Sequence, residues 1–363
     1  MALVIWVILA TSCVSGADAP GDAEQILTSH GLVQQGSHWV TADEARLAAD
    51  LTDLRRLDRQ HRQTAATLKR ELQQAGQLRD RVVTAREEVD RLNALLDGGT
   101  LSGSRYNAVV DEVNRRADFI NQHVSLLASP LGVVIEPNVA QAARQLVEQY
   151  GALSAALAHG RYTLETLEDS YAALAEDSQV AAALEQIDNG RPGDARLGPL
   201  RDYAGDARRL ERMAATLWTA EIPLAVLDNR SLLPVVVEER VFGTFAVSSD
   251  QGISIVSSAL AEAAGIDVER SVPPVKLQAF GVGEHELYPA TIPRIRLGGH
   301  TVENVRVLVL PADAEEMPNV LDVGTLGPLS VELDLPRLRA RLTASESTAA
   351  EAVDKPELRN KNR

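Results

Sequence analysis

The chain has 363 residues, 45% of them apolar and 24% charged, a balance that argues against a disordered or fibrous protein and leaves room for two or three domains with their own cores. Its formal net charge of −15 argues against a nucleic-acid partner or an anionic membrane surface, because neutralising phosphates takes clustered Lys and Arg. Aromatic residues make up only 4%, which suits a helix-rich portion more than one large sandwich of sheets.

The first ten residues, Met1 to Ala10, form an apolar run too short to span a bilayer comfortably, followed by the small residues Thr11 to Ala17. This pattern predicts a signal peptide over 1–19 and export to a periplasmic or extracellular space. Cys13 is the single cysteine, so the mature chain would have neither an internal disulfide nor a thiolate nucleophile. The alternatives are an uncleaved anchor and a lipid anchor on Cys13, although Ala10 stands where a lipoprotein has a large aliphatic residue. No other membrane contact is expected.

Residues 20–40 read as a short lead-in with hairpin character from Gly31 to Val40. A helical domain is expected over 41–221. It opens on a capping box, in which Thr41 accepts from a first-turn amide and Glu44 reaches back to it. Beyond it Leu47, Leu51, Leu54, Ala65, Leu68, Leu72, Val82, Val89 and Leu96 recur at steps of three and four or their multiples, lining one stripe of a long helix. Asp58, His61, Arg79 and Arg86 interrupt the seam, which favours a helical hairpin and bundle over a strict two-stranded coiled coil. Asp97 to Gly103, with Gly98-Gly99, supplies the turn. A second helix with Val109, Val113, Ala117, Ile120, Val124 and Leu127 on one face is expected to stop near Ser129-Pro130-Leu131-Gly132. A third amphipathic stretch runs from about Asn138 to Ala175, Asn189 to Asp194 breaks the pattern, and a last helix is expected over Pro199 to Thr219. The seven histidines form neither an HExxH motif nor a paired-ligand cluster, so no metal site and no cofactor are expected.

After Pro223 the texture changes to β-branched and aromatic runs. Strands are expected at Leu233 to Val237, Val241 to Val247, Val275 to Phe280, Glu286 to Leu297 and Thr301 to Leu310. Turns fall at Gly281-Val282-Gly283-Glu284 and Gly298-Gly299-His300, and a short helix falls at Ser258 to Ala264. Residues 343–363 are Ala-, Ser- and charge-rich without periodicity and read as a disordered tail.

Over Leu233 to Leu342 this order of elements resembles the single-lobe, retroviral-type (retropepsin-like) aspartic proteases. Phe245-Ala246-Val247 looks like the strand before the active-site turn, Ser258 to Ile266 like the helix, Gly281 and Gly283 like the flap tip, and Val320-Leu321-Asp322 like the second turn. The implied fold class is α plus β and multidomain: an N-terminal long-helix hairpin or bundle followed by an all-β acid-protease-like barrel over 229–342. A single lobe supplies one of the two carboxylates that must share a proton, so the resemblance also implies a homodimer.

The signature departs from the family. An ungapped alignment puts Ser248 at the carboxylate's position and Asp250 where the family has the turn glycine, and serine is no general base near neutral pH. Alignment by motif matches Asp250-Gln251-Gly252-Ile253-Ser254 to Asp-x-Gly-x-Ser at the expense of two residues before the helix. Ser249, Gln251, Gly252 and Ser254 then form the active-site turn, with Asp250 the candidate catalytic acid. Asp322 stands where the family has a tightly packed glycine. The expectation is a pseudoenzyme that binds peptide or a protein partner. The alternatives are an active homodimeric aspartic endopeptidase using Asp250 from each subunit, and a helical scaffold whose β domain only dimerises.

Overall fold

The computed structural model describes residues 22–128, 133–134, 136–190, 195–249, 252–278, 284–314 and 317–344. The expected signal peptide, Cys13, the stop at Ser129 to Gly132, Asp250, Gln251, the flap-tip glycines Gly281 and Gly283, and residues 345–363 of the expected tail lie outside them; Thr343 and Ala344, expected in that tail, instead end a strand, held by pairing with Ser330 and Leu329.

In chain order, helix α1 (Asp22–Ser29) leads into an antiparallel hairpin of strands β1 (Leu32–Gln35) and β2 (His38–Thr41), which turns at Gly36 with φ +63°. Helix α2 runs from Ala42 to Asp97 and buries Leu47, Leu51, Leu54, Leu68 and Val82 from the foreseen stripe. Gly99 and Gly103, both at positive φ, form the turn into α3 (Ser104–Gln122). The helix ends at His123, and a short α4 (Ser125–Ala128) follows. That break rotates Val124 out to 56% exposure and buries Leu126 in its place. Helix α5 (Pro137–Glu176) and helix α6 (Ser178–Gly190) come next, then a two-residue strand β3 (Arg196–Leu197) and helix α7 (Ala204–Leu217). The last helix thus starts later than Pro199. The Leu200 N–H and the Tyr203 hydroxyl are given to Glu44 at 2.7 and 2.9 Å, which holds 199–203 out of helical geometry.

The β region begins at β4 (Glu221–Pro223) and continues with β5 (Ala225–Leu227), β6 (Arg230–Val237), β7 (Val241–Ser248), β8 (Ser254–Val256), helix α8 (Ser258–Ala264), β9 (Val275–Gln278), β10 (Glu284–Leu297), β11 (His300–Val309), β12 (Asn319–Asp322), β13 (Leu329–Asp334) and β14 (Arg339–Ala344). One sheet has the order β5-β6-β7-β12-β8-β11-β10-β9, with β10 also pairing β6. That second pairing, Ile295 with Val237 and Arg296 with Val236, closes the sheet on itself. A second sheet has the order β13-β14-β4. Long N-terminal helices followed by an acid-protease-like β barrel make the architecture α plus β. Gly298-Gly299 joins β10 and β11 through a two-residue loop. A Cβ on Gly298, at φ +53°, would stand 2.5 Å from the Thr219 carbonyl, so glycine is required there.

The chain divides into two compact units. The first comprises 1–49 and 163–205. Its core is Leu27, Leu32, Trp39, Val180 and Ala183. The foreseen capping box is half formed, since the Glu44 N–H donates to Thr41 Oγ1 at 3.2 Å but the Glu44 carboxylate does not return to Thr41. The Thr41 N–H instead donates to the Tyr171 hydroxyl at 3.0 Å, and that hydroxyl donates to Glu44 Oε2. With Leu200 and Tyr203 on Oε1, a carboxylate only 3% exposed is fully answered.

The second unit comprises 50–162 and 206–363. Its largest core joins both sheets and α8 through Leu233, Phe245, Leu260 and Leu297 on one side and Ile222 and Ala340 on the other, and Tyr150 of α5 belongs to the same cluster. A neighbouring cluster packs Leu68 of α2 and Ala143, Leu146 and Val147 of α5 against Ala225 and Leu338. The Trp218 indole N–H donates to Ser154 Oγ at 2.7 Å. Its ring receives the Arg296 guanidinium 4.1 Å from its centroid, a cation–π contact between barrel and helix linker.

Candidate active site

Strand β7 carries the chain to Ser248, where the backbone leaves the sheet. Strand β12, from much later in the sequence, runs parallel beside it in the register Phe245–Asn319, Ala246–Val320, Val247–Leu321 and Ser248–Asp322. On its other side β12 pairs with β8 at Val320–Ile255. The two candidate turns therefore meet at one end of the sheet, and Ser248 lies opposite Asp322.

Asp322 is 1% exposed. Its Oδ1 accepts from the Gly324 N–H at 2.9 Å, capping the 3-10 turn Val323–Leu326, and its Oδ2 accepts from the Gly252 N–H at 3.0 Å. One carboxylate thus ties the second turn to the residue at φ +66° in the first. Below it, Ser254 Oγ accepts from the Asp322 N–H at 3.0 Å and bonds Thr325 Oγ1 at 2.7 Å. Thr325 Oγ1 donates its proton to the Asp322 carbonyl at 2.7 Å. The Ser254 hydroxyl must therefore be the donor toward Thr325, and the direction of each of these bonds is fixed.

Asn319 makes the second tie. Its Oδ1 accepts from the Ser257 N–H at 2.7 Å and its Nδ2 donates to the Thr244 carbonyl at 3.3 Å. Ser257 Oγ in turn caps α8 by accepting from the Leu260 N–H at 3.3 Å, and Gly265 ends that helix at φ 71°. Strand, turn and helix are locked around the site by short polar side chains.

The structure thus brings Ser248, Gly252, Ser254 and Asp322 together, with Ser249 exposed at the strand end. Of the turn, Asp250 and Gln251 lie outside the described residues. Sequence reasoning missed Asn319 and Thr325. The Asp-x-x-Thr spacing from Asp322 to Thr325 was the available signal, being local capping chemistry. Among the described residues no group of three or more His, Cys, Asp or Glu side chains could hold a metal ion.

Residues 233–327 match the family model described as aspartyl protease. No curated protein matches the chain. Among solved structures, a retropepsin-like aspartic protease from Rickettsia conorii aligns at 18% identity and a TM-score of 0.27, covering 34% of this chain and 98% of that one. EIAV protease complexed with the inhibitor HBY-793 aligns at 16% identity and a TM-score of 0.18, covering 26% and 84%. The family match spans the two turns and the helix between them, and it marks the C-terminal region as an aspartyl-protease-like domain.

Proposed function

We propose that this protein is exported and that its retropepsin-like domain binds peptide or a protein partner without cutting it. The state of Asp322 carries the reading. At the turn where the fold brings its second loop to the active centre, the carboxylate is buried and both its oxygens face main-chain N–H groups. Opposite it stands Ser248. Aspartic-protease chemistry needs a carboxylate pair that shares one proton and holds a water between its members. A serine hydroxyl cannot act as base there, and a carboxylate 1% exposed and tied to two turns is not open to solvent water. The domain's outline survives in this reading, with a homodimer as its assembly and a peptide as its guest. Export rests on the apolar run and small residues of 1–17.

Incubating the full chain with unfolded protein substrates at acid and neutral pH, with and without pepstatin, tests the reading. No cleavage is expected. Pepstatin-sensitive cleavage abolished by Asp250→Asn would replace it with the endopeptidase built on Asp250 from each subunit. Light scattering on the purified protein checks the dimer, and the N-terminal sequence of protein recovered from the medium or periplasm checks removal of residues 1–19.

A further inference from the structure

We propose that the second unit carries a binding cleft for a small apolar anion, a carboxylate on a hydrocarbon chain. The cleft is bordered by α2, α5, β4 and the turn before β14, and none of the residues around Asp322 lines it. Its volume is about 800 Å³, within the range of small-molecule sites. The apolar wall is made by Leu68, Leu72, Leu146, Ile222 and Leu338, and burying a hydrocarbon chain on it supplies roughly 25 cal/mol per Å².

Two polar groups of α2 give the cleft a sign. His61 lines it and also borders an adjoining cavity of about 440 Å³. The His61 ring packs edge-on against Tyr150 with centroids 5.8 Å apart, and its Nδ1 is sealed from solvent without a hydrogen-bond partner. A buried N–H without an acceptor is harder to tolerate than a buried acceptor without a donor, so the neutral ring keeps its proton on Nε2. The ring's donor is then Nε2, on a side chain that borders both the cleft and the adjoining cavity. The Tyr150 hydroxyl offers an anion no proton, because it donates to the Leu217 carbonyl at 3.1 Å.

The charged residues lining the cleft are Lys69, Glu221, Arg337 and Arg339. Glu221 is held by Arg339 at 3.1 Å and Arg341 at 3.5 Å, and Arg337 is held by Asp334 at 3.4 Å. Lys69 has no ion-pair partner among the described residues. In a chain of net charge −15, this apolar cleft has an unpaired lysine at its rim and an N–H donor among its lining side chains. A monoanionic head on an apolar chain answers all three features, whereas a neutral apolar molecule leaves Lys69 and His61 unanswered.

Calorimetric titration of the full chain with decanoate below its micelle concentration, beside decanol and acetate, tests this. One saturable decanoate site is expected, with no acetate binding and decanol weaker by roughly tenfold, the worth of one charge-assisted contact. Lys69→Glu, at an exposed position, should weaken decanoate by at least that factor and leave decanol binding and the unfolding midpoint unchanged. Leu72→Trp, which fills the cleft, should block both ligands. Absence of saturable decanoate binding, binding of many equivalents, or undiminished decanoate affinity in Lys69→Glu would each overturn the proposal.

Discussion

Replacing Asp322 with alanine separates a structural carboxylate from a chemical one. The substitution removes the acceptors of the Gly324 and Gly252 N–H groups, which lie 2.9 and 3.0 Å from the two oxygens. Loss of a helix-type cap costs about 1 kcal/mol, and loss of a hydrogen bond to a carboxylate about 1.5–3 kcal/mol. Both glycines lie on the exposed side of the site, so water can partly replace each contact, and the desolvation of a carboxylate 1% exposed is relieved at the same time. The expected net loss is about 2–3 kcal/mol. Asp322→Asn, which keeps one acceptor but turns an NH₂ toward the other N–H, should lose about 1–2 kcal/mol. Urea unfolding followed by Trp218 fluorescence, which reports on the second unit, measures both. If Asp322→Ala stays within about 0.5 kcal/mol of the parent chain, or abolishes a cleavage activity while stability is intact, the carboxylate belongs to chemistry and the capping account is wrong.

Tyr171→Phe should destabilise the first unit by about 2–4 kcal/mol, since it leaves the Thr41 N–H and Glu44 Oε2 each without a partner; Trp39 fluorescence follows that transition. Burial holds the His61 imidazole below its ordinary value of 6.5, with the Asp58 carboxylate working against the shift. The unfolded chain therefore binds the proton first, so stability should fall as pH drops below about 6.5 and level off once the folded ring is also protonated. Unfolding midpoints measured across that window should show the slope reduced in His61→Phe. In Gly151→Ala the new methyl would collide with the Phe242 ring, and a loss of about 1–3 kcal/mol is expected by thermal or urea denaturation.

What the sequence made legible was local chemistry. The stripe from Leu47 to Val82, the glycine turn before α3, the short helix at Ser258 to Ala264, and the Gly298-Gly299 hairpin all follow from residues within one or two turns of one another. The exchange of partners at Thr41 was not legible, because Tyr171 reaches it from a helix 130 residues away in sequence. The late start of α7 has the same cause in Glu44, a long-range acceptor. At the candidate site the two turns could be named, but not the side of Asp322 that faces Gly252, because β12 gains its neighbours only through long-range pairing, parallel with β7 and antiparallel with β8. Asn319 and Thr325 were invisible for that reason: an Asn or Thr has a role only once its backbone partners are assembled.

The insertion of β12 between β7 and β8 also sets an order of events during synthesis. Strands β7 and β8 are separated by only a few residues, yet they do not pair, and the space between them stays open until residues 319–322 have left the ribosome. A nascent chain halted before that point carries a gap in its sheet, with unpaired edges on both sides. The retropepsin-like domain thus closes late, from its C-terminal side, and a truncation that spares every residue from Leu233 to Leu310 would still leave its central seam unsewn.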